Sequence, residues 1–218
     1  MPHSIDTTSN GTARASWPRL SWIAGMLILA IGYRVGAASS DSIHLANTAP
    51  LMAMSFGGGL LLGWRFCWIP ALLLFASDLF LGLSAGIGVG GYTFASAVVY
   101  TLVAALGAWV GQRQSKGAGP SWWVLLGGTL SASLLFYVVS NTYAWAMSPL
   151  YAKSLAGWWQ SQTVGIPGPY PPSLFFLKNA LIGDFIWCLL AAPLFFWKPV
   201  ALPGDQPGSA AEPLEATA

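Results

Sequence analysis

Six apolar segments separated by short polar connections dominate this chain and limit what it can fold into. Only 7% of its 218 residues are charged, whereas a soluble globular chain is usually about one quarter charged. A membrane-spanning helix needs about 20 mostly apolar residues. The sequence therefore predicts an all-α polytopic membrane protein, a bundle of about six transmembrane helices at residues 20–36, 50–63, 67–83, 92–111, 121–146 and 173–197.

The second apolar segment is shorter than a usual span. Asn47 offers a helix cap in front of it, and Pro50 suits a first helical position. The consecutive glycines at 57–59 allow a neighbouring backbone to approach closely. Because only Trp64 and Arg65 separate this segment from the next, we expect the two to form a tight antiparallel hairpin.

The first apolar segment has two interpretations. It could be a cleaved signal peptide, because Arg14 and Arg19 precede it and the small residues at 35–37 follow it. Arg34, however, fits poorly between an apolar core and a cleavage site. We therefore favour a retained membrane anchor.

The polar ends frame a single domain. Residues 1–16 and 199–218 are predicted to be disordered tails, and residues 17–198 form the six-helix transmembrane domain. Placing the N-terminus inside puts Arg34, Lys153 and Lys178 outside and the other six basic residues inside, in agreement with the positive-inside rule. This orientation predicts that both termini are cytoplasmic.

Several function classes lack the residues that they need. No G-x-x-x-x-G-K-[ST] phosphate loop is present, so an energised role would need a separate coupling or ATPase module. Cys67 and Cys188 lie in apolar segments without metal-ligand spacing and are interpreted as packing residues. No nucleophile–base pair is visible, so we predict no enzyme, cofactor or metal site. The net charge of +2 gives no reason to expect a nucleic-acid partner.

Two aspartates, Asp78 and Asp184, lie inside apolar segments. An ionised carboxylate near the centre of a bilayer costs about 2.5–3.5 kcal/mol on insertion scales. Three interpretations remain open at this point. Each aspartate could form an internal ion pair or cap, with Arg34 or Lys178 as the partner, could contact a ligand, or could relay a proton or cation.

The predicted topology collects polar side chains in the outer half of the bundle. Asn47, Asp78, Asn141, Asn179 and Asp184 all fall there, and the inner half has almost none. On helix five, Tyr137, Asn141 and Trp145 recur at every fourth position and share one stripe. This stripe suits stacking and hydrogen bonding of a flat ligand, or ordinary helix packing. These candidate solute-binding residues are Asn47, Asp78, Tyr137, Asn141, Trp145, Asn179 and Asp184.

The longer connections are predicted to lie on the outer side. The connection at 84–91 is glycine-rich, and we expect it to be a mobile gate through Gly86, Gly88, Gly90 and Gly91. The connection at 147–172 is long enough to be functional. Its first part, residues 151–159, could lie along the membrane interface, and residues 166–172 are polyproline-like.

Several motifs together resemble a known family. They are NTAPLMAMSFGG at 47–58, Ile69-Pro70, SDLFLG at 77–82, Ser140-Asn141, Trp145, Tyr151 with LAG at 155–157, and NALIGD at 179–184. The combination, over residues 20–197, is similar to an uncharacterised family of small bacterial membrane proteins described only as proposed transport proteins. The resemblance implies a bacterial inner-membrane location. The chain departs from the family pattern before Asn179, where a Gly/Pro-rich insertion replaces the expected short Pro-Phe-Phe approach to helix six.

More distantly, the arrangement resembles the substrate-binding components of energy-coupling-factor vitamin transporters. In that class, six helices hold a ligand in the outer half of the bundle beneath outer loops. The resemblance implies a separate ATPase module that docks on small residues of helix one, for which Ala24, Gly25, Gly32 and Gly36 are available.

The leading hypothesis from the sequence is a substrate-binding subunit for uptake of a small, vitamin-like solute, embedded in membrane lipid. The alternative is a structural or assembly subunit of a membrane complex, in which the polar residues form an internal network. A polar cavity in the outer half of the bundle would favour the first hypothesis, and a solid outer half would favour the second.

Overall fold

The computed structural model describes residues 17–38, 40, 45–86, 89–114, 120–168 and 171–196, which contain α-helices and no strand. The seven α-helices are α1 (Trp17–Ala38), α2 (Leu51–Leu62), α3 (Ile69–Ala85), α4 (Gly91–Arg113), α5 (Trp122–Met147), α6 (Leu155–Gln162) and α7 (Ser173–Phe196). The prediction of an all-α membrane bundle is confirmed. The predicted tails at 1–16 and 199–218 lie outside the described residues.

The six predicted segments are all helical, but they differ in length. Four stretches are long and apolar enough to cross a membrane, at Trp64–Leu83, Gly91–Arg113, Trp122–Met147 and Ser173–Phe196. The apolar parts of the other two helices are shorter, at Ala24–Ala37 and Leu51–Leu62. Large apolar side chains such as Ile28, Leu83 and Leu102 are exposed on the outside of the bundle, as lipid contact requires.

The short helix α2 packs most closely against α4. A β-carbon added to Gly59 would collide with the backbone of Ala104, and one added to Gly107 would collide with the backbone of Phe56. The glycines therefore allow the two backbones to touch, as the glycine run predicts. This contact places α2 in the middle of the molecule, where Phe56 and Leu60 are buried.

The connection between α2 and α3 is a tight turn. Gly63 adopts a positive φ of 77° after α2, and a short 3₁₀ helix at Trp64–Phe66 leads towards α3. Pro70 lies in the first turn of α3, where its missing N–H leaves no helical hydrogen bond unmade. The short connection is as predicted, but α2 packs mainly against α4 and only slightly against α3.

Helix α6 folds back along α5 from the end of that helix. The indole of Trp158 donates to Thr142 Oγ1 at 2.9 Å, and the hydroxyl of Tyr137 donates to the carbonyl of Gln162. Gly157, Ser161 and Gln162 face inward and are buried, whereas Leu155 and Trp159 are exposed. Helix α6 thus turns its small and polar side chains and the indole N–H of Trp158 towards the bundle, and Leu155 and Trp159 away from it. That residues 151–159 lie along the membrane interface stays a prediction.

The loop that precedes α6 is ordered by a helix cap and by a buried tyrosine. Ser154 caps α6 by accepting a hydrogen bond from the N–H of Gly157 at 3.2 Å. Tyr151 is buried, and this burial raises the pKa of its hydroxyl above the usual value. The start of the long connection is therefore packed structure.

Candidate functional site

A polar cavity of about 720 Å³ lies at the end of the bundle where α1, α3 and α5 finish and α2, α4 and α7 begin. We call this end the α6 end. The cavity wall is formed by α1 and Ser40 after it, by the segment before α2 with the first turn of α2, and by α4, α5 and α7. The cavity has the size of ordinary small-ligand sites, which span roughly 300–1,000 Å³.

Four of the seven candidate binding residues line this cavity: Asn47, Tyr137, Asn141 and Asp184. Asp78, Trp145 and Asn179 are not part of its lining. Much of the remaining polar and aromatic wall comes from five residues that were not predicted to bind solute: Arg34, Tyr92, Tyr100, Ser133 and Phe136.

Asp184 is the deepest charged group in the wall. It lies near the middle of α7, is only 2% exposed, and accepts a hydrogen bond from the hydroxyl of Ser133 on α5. The backbone N–H of Ala53, in the first turn of α2, also interacts with this carboxyl group. Asp184 therefore joins three helices at the bottom of the cavity. The N-terminus of α2 favours the ionised form of this carboxyl group.

Asp78 is paired inside the protein. The guanidinium of Arg34 donates from Nη2 to Asp78 Oδ1, and Thr93 Oγ1 donates to Asp78 Oδ2 at 2.7 Å. Arg34 Nε also donates to Ser77 Oγ at 2.6 Å. Of the two partners that the sequence suggests, the structure selects Arg34, and Lys178 instead lies over the ring of Phe175 at 4.4 Å. Of this ion pair, Arg34 lines the cavity and Asp78 lies behind it, outside the lining.

Asn179 holds the backbone of the segment that leads into α2. Its Nδ2 donates to the carbonyl of Ala46 at 3.2 Å. One turn further along α7, a β-carbon on Gly183 would lie 2.8 Å from the Thr48 backbone. Another turn along, Trp187 Nε1 donates to the Thr48 carbonyl at 3.0 Å. The segment 45–48 therefore runs down the face of α7, and α2 begins well inside the bundle.

Non-helical backbone is tolerated at membrane depth only where protein or a water-filled cavity surrounds it. The segment before α2 meets this condition through α7 and through Tyr33, whose hydroxyl lies 2.6 Å from Thr48 Oγ1. The other side of the segment faces the cavity through Leu45, Ala46, Asn47 and Ala49. Asn47 adopts a positive φ of 62°, a conformation that asparagine accepts more readily than most residues.

The predicted stripe on α5 is partly displaced. Ser133, Tyr137, Ser140, Asn141 and Ala144 line the cavity, so the cavity face of α5 follows spacings of three and four residues. Trp145 falls beside this face, and its Nε1 donates to the carbonyl of Ala152 at 2.8 Å. The serines and the alanine share this face with Tyr137 and Asn141 and are the sequence signal that the predicted stripe left out.

The glycines of the predicted gate have separate structural roles. Gly86 ends α3 in the left-handed conformation with φ 72°, and Gly90 precedes α4 in an extended conformation. A β-carbon on Gly91 would lie 2.6 Å from the hydroxyl of Tyr143. Gly88 lies outside the described residues. Gating by this connection stays a prediction.

The described part of the chain offers no group of three or more His, Cys, Asp or Glu side chains that could hold a metal ion. Cys67 and Cys188 are both buried and free. The chemistry of the cavity is therefore set by one carboxylate, one paired guanidinium, amides, hydroxyls and aromatic rings. Such groups bind solutes by charge pairing, hydrogen bonding and stacking.

The chain belongs to a family of unknown function, DUF6580, which matches residues 14–201. No curated protein and no solved structure matches the chain. The family covers all seven helices and all the residues that line the cavity.

Proposed function

We propose that this protein is a membrane-embedded solute-binding subunit, and that the polar cavity at the α6 end is its binding site. The observation that carries the proposal is a cavity of about 720 Å³ lined by polar and aromatic side chains in a protein whose outer surface is apolar. Ligand sites are concave clefts of this size in which a few polar groups converge among apolar and aromatic side chains. The size fits a vitamin-like solute.

The proposal includes the setting of the protein. The chain lies in a bacterial inner membrane with both termini in the cytoplasm, so the α6 end faces outward and the solute is taken up from outside. The basic residues support this orientation. Because the sequence contains no phosphate loop, a separate coupling or ATPase module supplies any energy for transport.

Binding is tested with the full-length protein purified in a mild detergent. Native mass spectrometry identifies solutes that copurify or that are captured from a bacterial metabolite extract. Ala144→Leu places a larger side chain in the cavity wall, whereas Ala146→Leu on the same helix is exposed and serves as the matched control. We expect Ala144→Leu to lower solute occupancy at least fivefold and Ala146→Leu to leave it unchanged. Equal occupancy in both variants, or no bound solute in the unaltered protein, would contradict the proposal.

The structural alternative is favoured by one specific observation. Arg34, Ser77, Asp78 and Thr93 form a polar network whose members bind one another. Such a network joins α1, α3 and α4 without any ligand. If the protein copurified with a stable membrane complex and bound no solute, this second function would replace the first.

A further inference from the structure

The charge of the cavity wall comes from two side chains, Arg34 and Asp184, among the described residues that line it. Arg34 is already neutralised, because its guanidinium forms the ion pair with Asp78 and donates from Nε to Ser77. Its positive charge is therefore matched by a carboxylate directly behind the wall. An anionic solute would have to compete with Asp78 for Arg34.

Asp184 has no such counter-ion, since the salt bridge that the structure shows among its described residues joins Arg34 to Asp78. The contacts of Asp184 are the neutral hydroxyl of Ser133 and the backbone N–H of Ala53. An ionised carboxylate has about four lone-pair positions, so these two donors leave acceptor capacity unused. Asp184 also lines the cavity.

The N-terminus of α2 offsets this charge in part. Its first residues, Leu51 and Met52, line the cavity beside Asp184, and a helix N-terminus carries roughly half a positive elementary charge. Half a charge stabilises a carboxylate but does not neutralise it. Because the Arg34–Asp78 pair is matched, an ionised Asp184 gives the cavity a net negative charge.

Aromatic rings surround the same space. Tyr100 and Phe136 stack with their ring centroids 5.1 Å apart, and three further lining residues, Tyr92, Tyr137 and Phe176, are aromatic. The faces of such rings attract cations, most strongly where water is excluded. Flat organic groups also stack on them. A carboxyl group among several aromatic rings suits a positively charged nitrogen on an organic body.

We propose that the solute is an organic cation, whose ammonium or protonated ring nitrogen pairs with Asp184 while its flat body lies among Tyr100, Phe136 and Tyr137. This inference rests on the proposed function, because it names the chemical class that the same cavity takes. Asn47 and Asn141 provide amide groups for the polar substituents of the solute. Arg34 favours the same class, since its pairing with Asp78 removes the free positive charge that would otherwise attract anions.

Three small molecules with the same ring test the charge directly. Tryptamine is cationic at pH 7, tryptophol is its neutral analogue, and indole-3-acetate is anionic. Binding to the full-length protein in detergent is measured by isothermal titration calorimetry and by native mass spectrometry. We expect tryptamine to bind at least tenfold more tightly than tryptophol, and indole-3-acetate to bind more weakly than either. Equal or tighter binding of tryptophol or indole-3-acetate would overturn the inference.

The substitution Asp184→Asn removes the charge and keeps the shape of the side chain. We expect the preference for tryptamine over tryptophol to fall to threefold or less, and Ser131→Asn, on the exposed side of α5, to leave it unchanged. A preserved tenfold preference in Asp184→Asn would overturn the inference. Since Asp184→Asn could also weaken folding, the comparison of the three probes in the unaltered protein stands as the independent test.

The solute captured from a metabolite extract separates the two proposals. A bound cation supports both, whether or not the indole probes fit. A bound neutral or anionic solute overturns the cation inference and leaves the proposed function standing. If neither a probe nor an extracted solute binds, the proposed function fails, and the inference about its solute fails with it.

Discussion

The indole of Trp187 donates a hydrogen bond to the carbonyl of Thr48 at 3.0 Å and so ties the middle of α7 to the chain just before α2. Tyr33 completes this junction, because its ring packs edge-on against Trp187 at 5.5 Å and its hydroxyl meets Thr48 Oγ1. The junction fixes where α2 begins. Since Asp184 meets the first turn of α2, the junction also fixes the bottom of the polar cavity.

Trp187→Phe tests this junction. Phenylalanine keeps most of the apolar contact but leaves the carbonyl of Thr48 without its donor, and an unsatisfied buried polar group costs about 1–3 kcal/mol. We expect a loss of unfolding free energy in that range, measured by reversible unfolding in mixed micelles. Trp123→Phe is the control, because Trp123 is 72% exposed, and it should change stability by less than about 0.5 kcal/mol. Equal losses would contradict the assigned role.

The contact between α2 and α4 makes a second prediction. A methyl group at Gly59 collides with the backbone of Ala104, which cannot move aside as a flexible side chain would. We expect Gly59→Ala to cost about 1–3 kcal/mol or more, as overpacking does. Reversible unfolding in mixed micelles measures the loss.

The adjacent glycine is the control for that substitution. A β-carbon at Gly58 meets nothing within 4 Å, so Gly58→Ala keeps the same chemistry without the collision. We expect it to be neutral or to stabilise the helix by up to about 1 kcal/mol, through the better helix propensity of alanine. A Gly59→Ala protein as stable as Gly58→Ala would show that α2 and α4 are further apart than described.

The helices could be predicted from the sequence because apolar length and composition determine them locally. The packing of α2 agrees with the glycine run, and the start of α3 agrees with Pro70. The predicted start of α2 is wrong, because the helix begins at Leu51 after Pro50 and Asn47 does not cap it. The path of α6 along α5 could not be predicted, since it depends on Gln162 meeting Tyr137 on another helix. Sequence spacing within a short helix does not identify its partner, and only tertiary contacts do.

The sequence predicted the end of the bundle at which the cavity lies, but only four of the seven predicted residues line it. Depth along the predicted helices was enough to place Asn47, Asn141 and Asp184 at one end of the bundle. Rotation of each helix decides whether a side chain faces the cavity or a neighbour, and sequence spacing alone does not fix that rotation. Asp78 and Asn179 therefore lie at the right end but form internal contacts instead of lining the cavity.

The pairing of Arg34 with Asp78 leads to a third prediction. Removing one partner leaves a partly buried charge without compensation, since the two side chains are 21% and 16% exposed. We expect Arg34→Gln and Asp78→Asn each to lower stability, and the double variant to lose less than the sum of the two. The coupling free energy should be about 1–2 kcal/mol, within the range for contacting pairs.

A second cycle provides the control for this pair. Arg65 is exposed in the turn between α2 and α3, at the end of the bundle away from Asp78. Arg65→Gln and Asp78→Asn should therefore have additive effects, within about 0.5 kcal/mol. Additivity between Arg34 and Asp78, or an equal coupling in both cycles, would contradict the assigned pair.

Lys153 caps the C-terminal end of α5, which leads to the fourth prediction. Its ammonium donates to the carbonyls of Ala146 at 3.0 Å and Ser148 at 2.7 Å, as well as to that of Trp145. These carbonyls have no helical partner, and a cation there also opposes the negative end of the helix dipole. Lys153→Met should lower the unfolding free energy by about 1 kcal/mol. The control is Lys178→Met, which removes a cation near the start of α7 and should not lower the unfolding free energy by as much. A loss in Lys178→Met larger than in Lys153→Met would contradict the role of Lys153 at the end of α5.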